Sequence, residues 1–128
     1  MSNTLKKIIE SIEDAQNFGF DWPNRESIVK QLINECKEIQ IDLQQNAPDS
    51  KIQEEIGDVL HAAFSFCVFC GFDIQETLQK IDSKFDERMK IVKQLTQKQG
   101  LTNLQGQSLE FILTLWDQAK IIAYQKVS

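Results

Sequence analysis

The chain is 128 residues long and acidic, with 19 aspartates and glutamates, 14 lysines and arginines and a formal net charge of −5. This length predicts a single compact domain over residues 1–128, large enough to bury a hydrophobic core without disulfides. The charge argues against a protein that coats nucleic acid, because affinity for a polyphosphate backbone comes from clustered lysines and arginines. A nucleotide substrate stays compatible with it, since a bound metal ion reverses the local sign of an acidic site.

Neither a targeting segment nor a membrane span is predicted. Residues 1–10 lack the hydrophobic stretch of a signal peptide, and the most apolar run, residues 59–72, is too short to cross a bilayer. We therefore expect a cytoplasmic protein without membrane association. An odd number of cysteines fits reduced side chains in the core rather than disulfides, and these are Cys36, Cys67 and Cys70.

Helical periodicity, punctuated by few prolines and glycines, predicts helices throughout and no strand. The helices are expected at about residues 5–18, 25–45, 50–70, 73–99 and from about residue 109 onwards. Ser50 with Gln53, and Asp73 with Glu76, have capping-box spacing at the third and fourth helix starts. The expected fold is an all-α bundle of about five helices with a four-helix core.

Two pairs of acids lie on the second and third helices. The members of each pair are three residues apart, so they project from one side of their helix: Glu35 with Glu38, and Glu55 with Asp58. The face bearing the second pair continues through apolar residues, namely Ala62, Phe66 and Phe69. Bringing four carboxylates together without a cation is unfavourable, and an all-oxygen ligand set suits Mg²⁺ or Mn²⁺. These features favour a metal site.

The alternative is that the four acids are surface residues paired with Lys37, Lys51 and solvent, which is the better interpretation of any single E-x-x-E pair. Two pairs on consecutive helices with a short connection are more specific, because such helices pack antiparallel and bring the pairs towards each other. Gly57, which lacks a side chain, would let the two helices approach closely.

The spacing E-x-x-E … E-x-x-D resembles the metal-binding signature of MazG-like nucleotide pyrophosphohydrolases. Three further segments resemble family motifs in the family's order: residues 53–60 (E-E-x-G-D-hydrophobic), 84–88 (K-F-x-x-R) and 115–120 (L-W-x-x-x-K). The resemblance covers about residues 22–120. It implies a MazG-like all-α fold and Mg²⁺-dependent hydrolysis of a nucleoside triphosphate between the α and β phosphates, giving the monophosphate and pyrophosphate. It also implies a homodimer or homotetramer, and by analogy a role in nucleotide-pool house-cleaning.

The resemblance also implies roles for individual residues. The implied metal ligands are Glu35, Glu38, Glu55 and Asp58. Glu54 would contact a second metal or orient water, and one of these five carboxylates would act as general base. The implied substrate contacts are Lys84, Arg88, Trp116 and Lys120. Asn34, where the family commonly has a glutamate, leaves the number of metal ions open.

Several of these residues also have simpler interpretations. Alone, Lys84 and Arg88 would be ordinary surface residues, and Trp116 would be part of the core. His61, three residues after Asp58, has a spacing found in di-iron bundles, but those need two acid-x-x-His units and the chain has one histidine. It is expected to be buried or at an interface. The rival functions are a di-metal carboxylate oxidoreductase or metal-storage bundle, and a non-catalytic helical interaction module.

Overall fold

The computed structural model describes residues 2–127, without the side chain of Val127. Within them lie five α-helices and no strand: α1 (Asn3–Phe18), α2 (Arg25–Gln44), α3 (Asp49–Phe69), α4 (Ile74–Lys98) and α5 (Leu109–Val127). The predicted all-α fold is therefore confirmed. No single helix in this part of the chain is long and apolar enough to cross a membrane; only α3 and α4 together, as a bent pair, have the length and composition.

The chain divides into two compact units, Met1–Thr77 and Leu78–Ser128. In the first unit α3 packs against both α1 and α2. The buried apolar residues of this unit are Ile12, Ile28, Ala62 and Ile74. In the second unit the core is formed by Ile91, Val92, Ala119 and Ala123. The single domain over the whole length stays a prediction.

Side-chain caps explain where several helices begin. The Asn24 Oδ1 atom accepts a hydrogen bond of 2.9 Å from the Ser27 backbone N–H at the start of α2. Asp73, predicted to open the fourth helix, accepts a bond of 2.9 Å from the Gln75 backbone N–H. At the end of α1, Gly19 has φ of 102°, a left-handed conformation that glycine adopts without steric cost.

The predicted capping role of Ser50 is wrong. Helix α3 begins one residue earlier, at Asp49, and Pro48 occupies the capping position without a side-chain hydrogen bond to the helix. The φ of Pro48 is −66°, and the ring of proline restricts this torsion to the range that precedes or begins a helix. Ser50 therefore lies inside the first turn.

Burial along α2 does not follow hydrophobicity alone. Ile28 and Asp42 are buried on it, whereas Val29, Cys36 and Leu43 are exposed. The prediction that all three cysteines are core residues is wrong for Cys36; Cys67 and Cys70 are partly buried.

Ile28 is the most completely buried large side chain of the first unit, with 0% of its surface exposed. We expect Ile28→Ala to lower the free energy of unfolding by about 2–4 kcal/mol, through lost burial and the cavity left behind. Urea denaturation followed by circular dichroism measures this. The matched control is Ile121→Ala, the same substitution at a position of α5 that is 59% exposed, which should lose much less. Equal losses in the two variants would contradict the packing described here.

Candidate active site

Helices α2 and α3 run antiparallel, as their side-chain contacts show. The Lys51 Nζ atom, near the start of α3, lies 3.6 Å from the Oδ1 atom of Asp42, near the end of α2. Earlier in α2 and later in α3, Glu35 and Asp58 line the same cavity. The predicted acid pairs are therefore carried on the facing sides of two packed helices.

The cavity belongs to the first unit and has a volume of about 540 Å³. Helix α1 and the segment after it contribute apolar, aromatic and polar lining, including Ile12, Ala15, Gln16, Phe20 and Trp22. Helices α2 and α3 contribute Gln31, Glu35, Asp58, His61 and Ala62. The Gln31 Nε2 atom donates a hydrogen bond of 2.7 Å to Glu35 Oε1, which orients this carboxylate. A concave surface with few polar groups beside aromatic rings suits a small ligand.

A second group of acids lies next to Lys51. Asp42 is only 6% exposed, and Glu55 is partly buried. The pKa of Glu55 is raised from 4.5 to about 7. The largest cause is a side-chain hydrogen bond with Asp42, followed by burial and by the negative charge of Asp42. The negative charge of Glu38 also raises this pKa, whereas the positive charge of Lys51 lowers it. Such a hydrogen bond requires a proton on one of the two carboxyls. The Asp42 Oδ2 and Glu55 Oε2 atoms are buried without a hydrogen-bond partner among residues 2–127.

This arrangement fits a hard divalent cation. Buried carboxylate oxygens that lack donors are unfavourable unless a proton or a cation compensates them, and oxygen ligands match Mg²⁺ and Mn²⁺. In the described part of the chain, no three acidic, histidine or cysteine side chains are gathered closely enough to hold a metal ion. Mutual repulsion of like charges opposes such a gathering until a cation is bound.

The remaining predicted acids differ in burial. Glu38, Glu54 and Asp58 are exposed and Glu35 is partly buried. Of these, Glu38 acts electrostatically on Glu55, and Glu35 and Asp58 face the cavity. Three of these four acids thus line the cavity or act on Glu55, and Glu54 does neither.

Asp42 is a buried acid near Lys51 that the sequence analysis did not single out. The available signal was its spacing, because Asp42 lies seven residues after Glu35 and two helical turns return a side chain to the same face. The expected close approach at Gly57 is wrong, because a Cβ atom built on Gly57 would meet no atom within 4 Å among the described residues. His61 is exposed at the cavity, so it is not buried within the chain, and its place at an interface stays a prediction.

The predicted substrate contacts lie in the second unit. Lys84 is exposed and Arg88 partly buried on α4, while Trp116 packs against the core of that unit. The Arg88 Cζ atom lies 5.7 Å from the centre of the Trp116 ring. Lys120, predicted to act with Trp116, forms an ion pair of 3.6 Å with Asp117 on the same helix. The structure thus brings together Arg88 and Trp116, from two different helices.

The raised pKa of Glu55 makes stability depend on pH. The folded state binds the proton more tightly than the unfolded chain, so the stability that Glu55 contributes is complete below about pH 4.5 and is lost as pH rises through about 7. We expect the melting temperature of the metal-free protein, measured in EDTA, to decrease over this interval. The decrease should be smaller in Glu55→Gln, which cannot ionise. An identical pH profile for the two proteins would contradict the environment described for Glu55.

The sequence profile of the MazG nucleotide pyrophosphohydrolase domain matches residues 24–93. These residues contain the acids of α2 and α3 and the Lys84–Arg88 pair of α4. The match covers more than half of the chain, which therefore belongs to this family.

Two relatives agree with this assignment. The nucleoside triphosphate pyrophosphohydrolase/pyrophosphatase MazG of Thermotoga maritima is 32% identical over 108 residues, covering 84% of this chain and 40% of the relative. The nucleoside triphosphate pyrophosphohydrolase of Escherichia coli K12 is 31% identical over 105 residues, covering 81% of this chain and 40% of the relative. The chain thus spans about 40% of the length of these relatives.

Proposed function

We propose that the chain is a Mg²⁺-dependent nucleoside triphosphate pyrophosphohydrolase that releases pyrophosphate and the nucleoside monophosphate. The observation that carries this proposal is the set of facing acids on α2 and α3, with buried carboxylate oxygens, inside the segment that matches the family profile. The names of the relatives indicate the same reaction class.

Glu35, Glu38, Glu55 and Asp58 would hold the metal, for which Mn²⁺ is also chemically suitable. When bound, the cation supplies charge neutralisation for the phosphate oxygens of the substrate. A carboxylate of the same group, or Glu54 beside it, accepts a proton from water as the water oxygen attacks phosphorus. The bond to the oxygen that bridges the α and β phosphates breaks, and that oxygen leaves with the phosphate that was not attacked.

We assign the nucleoside to the cavity of the first unit. Its volume of about 540 Å³ lies within the usual range for small-ligand pockets, and Phe20 and Trp22 offer aromatic rings for a base. Gln16 and Gln31 offer amides that both donate and accept hydrogen bonds. Glu35 and Asp58, two of the proposed metal ligands, line the same cavity. A nucleoside bound there would therefore have its triphosphate near the metal ion.

Lys84, Arg88, Trp116 and Lys120 are proposed as further substrate contacts, on the strength of the family motifs that contain them. Two cations one helical turn apart suit phosphate oxygens, and an arginine presents several donors in a planar group. The Arg88 guanidinium already lies near the Trp116 ring, which restricts its motion before a substrate arrives.

We also propose that the protein is a homodimer or homotetramer in the cytoplasm. Large apolar side chains are exposed on both α2 and α3, among them Val29, Ile33, Leu43, Ile56 and Leu60. Association of identical chains would remove such residues from water. Light scattering at micromolar concentration tests this, and a monomeric mass would refute it.

The activity is tested with a panel of canonical, deoxy and modified nucleoside triphosphates. Pyrophosphate and orthophosphate are measured separately, with Mg²⁺ and with EDTA. The proposal expects pyrophosphate and the monophosphate in equal amounts, only when the metal is present. Orthophosphate as the main product, or no turnover of any triphosphate, would refute it. The panel also identifies the preferred base and sugar, and a preference for modified nucleotides would support a house-cleaning role.

A further inference from the structure

The cavity of the first unit has two ends. Glu35 and Asp58, two of the proposed metal ligands, line one end. The segment between α1 and α2 lines the other, and it lies close to the start of α2 at Arg25. Arg25 is ten residues before Glu35, which corresponds to about 15 Å along the helix axis. A nucleotide whose phosphates lie at Glu35 and Asp58 therefore presents its base to the segment after α1.

Two hydrogen bonds hold the polar groups at this base end, which we define as Gln16, Asp21 and Trp22. The Trp22 backbone N–H donates to Asp21 Oδ1 at 2.8 Å. The Gln16 Nε2 atom donates to the same oxygen at 3.5 Å, a longer and weaker bond. No other hydrogen bond within residues 2–127 involves these two side chains. The atoms left for a ligand are thus two acceptors, Asp21 Oδ2 and Gln16 Oε1.

Two acceptors match the edge of a base that carries an amino group. Cytosine and adenine present an amino donor where uracil and hypoxanthine present a carbonyl oxygen. A carbonyl oxygen placed against the carboxylate of Asp21 leaves both groups without a donor. Asp21 is exposed, so water solvates its free oxygen before a ligand binds, and only a donor replaces that water without loss. Neither lysine nor arginine is among the lining residues that the structure describes, so no such cation offsets the mismatch.

We propose that Asp21, assisted by Gln16, determines the base specificity of the cavity and selects nucleoside triphosphates of cytosine or adenine over their deaminated counterparts. Trp22, beside them, supplies an aromatic ring for stacking, which tolerates any base and so leaves the choice to the hydrogen bonds. This inference rests on the proposed function, because the cavity holds a nucleoside only under that proposal.

The test compares CTP with UTP and ATP with inosine triphosphate, two pairs in which a carbonyl oxygen replaces an amino group. The quantity measured is kcat/KM for pyrophosphate release by the full chain with Mg²⁺. We expect the wild type to prefer the amino-bearing member of at least one pair by about 10- to 100-fold, the usual discrimination of a good base contact. The rings of the two pairs differ in size, so the pair with the larger preference identifies the base that fits.

The decisive variant is Asp21→Asn, which keeps the size of the side chain. The Trp22 N–H is a donor, so the asparagine oxygen takes the place of Oδ1 and its amide nitrogen the place of Oδ2. A donor then faces the base, and kcat/KM for the carbonyl-bearing nucleotide should increase about 10-fold or more while that for the amino-bearing one decreases. Damage to the fold lowers both values and cannot produce this gain.

Two further variants complete the test. Gln16→Met has a side chain of similar length without the amide, and it should weaken the preference without any gain for the carbonyl-bearing nucleotide. Asp14→Asn makes the same chemical change as Asp21→Asn on the exposed face of α1 and should keep the wild-type preference. Melting temperatures of all variants check folding.

The outcomes separate this inference from the proposed function. Pyrophosphate release with equal kcat/KM within both pairs, or a preference that Asp21→Asn leaves unchanged, would overturn the role of Asp21 and leave the proposed function standing. No pyrophosphate from any triphosphate would overturn the proposed function. Calorimetric titration with CMP, UMP, AMP and inosine monophosphate would then decide the inference separately, since no binding, or equal affinities within each pair, would overturn it. A wild-type preference that Asp21→Asn inverts supports the assignment.

Discussion

Replacing Asp58 with asparagine is expected to lower the rate of pyrophosphate release by about 1000-fold or more, since a metal ligand contributes several kcal/mol to the transition state and each 1.4 kcal/mol is tenfold. The substitution keeps the size of the side chain and removes its charge. Asp58 is exposed at the cavity, so the fold should tolerate the change. Glu38→Gln should have a similar effect, because Glu38 is proposed as a ligand of the same metal and its charge acts on Glu55.

The measurement is the steady-state rate of pyrophosphate release at saturating Mg²⁺, with the melting temperature as the check on folding. Asp14→Asn is the matched control, since it removes one exposed carboxylate from α1, and it should keep the wild-type rate. Unchanged rates in both Asp58→Asn and Glu38→Gln would remove the acids of α2 and α3 from the mechanism.

Replacing Arg88 with glutamine is expected to lower kcat/KM by about 100-fold, the usual effect of losing one preorganised donor to a developing negative charge. Arg88 is suited to this role because its guanidinium is held 5.7 Å from the Trp116 ring centre. Its buried Nε atom has no hydrogen-bond partner within residues 2–127. A guanidinium carries its charge at every working pH, and its planar fork matches phosphate oxygens.

The control for Arg88→Gln is Lys90→Gln, which removes an exposed cation from the same helix. The control should change kcat/KM little if proximity to Trp116, rather than the general charge of α4, is what matters. Separate values of kcat and KM show whether Arg88 acts on the bound substrate or on the transition state. Equal losses in the two variants would indicate a diffuse electrostatic effect and contradict a specific contact.

Much of the helical organisation could be predicted because its causes are local. Gly19 ends the first helix through a left-handed conformation, and Asp73 accepts a backbone hydrogen bond at the start of the fourth. The error at Ser50 was small and had a local cause as well, since Pro48 already supplies the geometry that begins a helix. The spacing of the acids is also a local property, which explains why the family could be recognised from short motifs.

The sequence by itself determined the all-α fold, the family and the pairing of acids on two consecutive helices. Only the tertiary structure decided which edge of α2 faces α3, since periodicity identifies a face but not its packing partner. In that packing Asp42 is buried beside Lys51, and Cys36 is exposed. The tertiary structure also places Glu35 and Asp58 at one cavity with Trp22, from the segment after α1. Contacts between residues distant in the chain depend on packing, which no local spacing encodes.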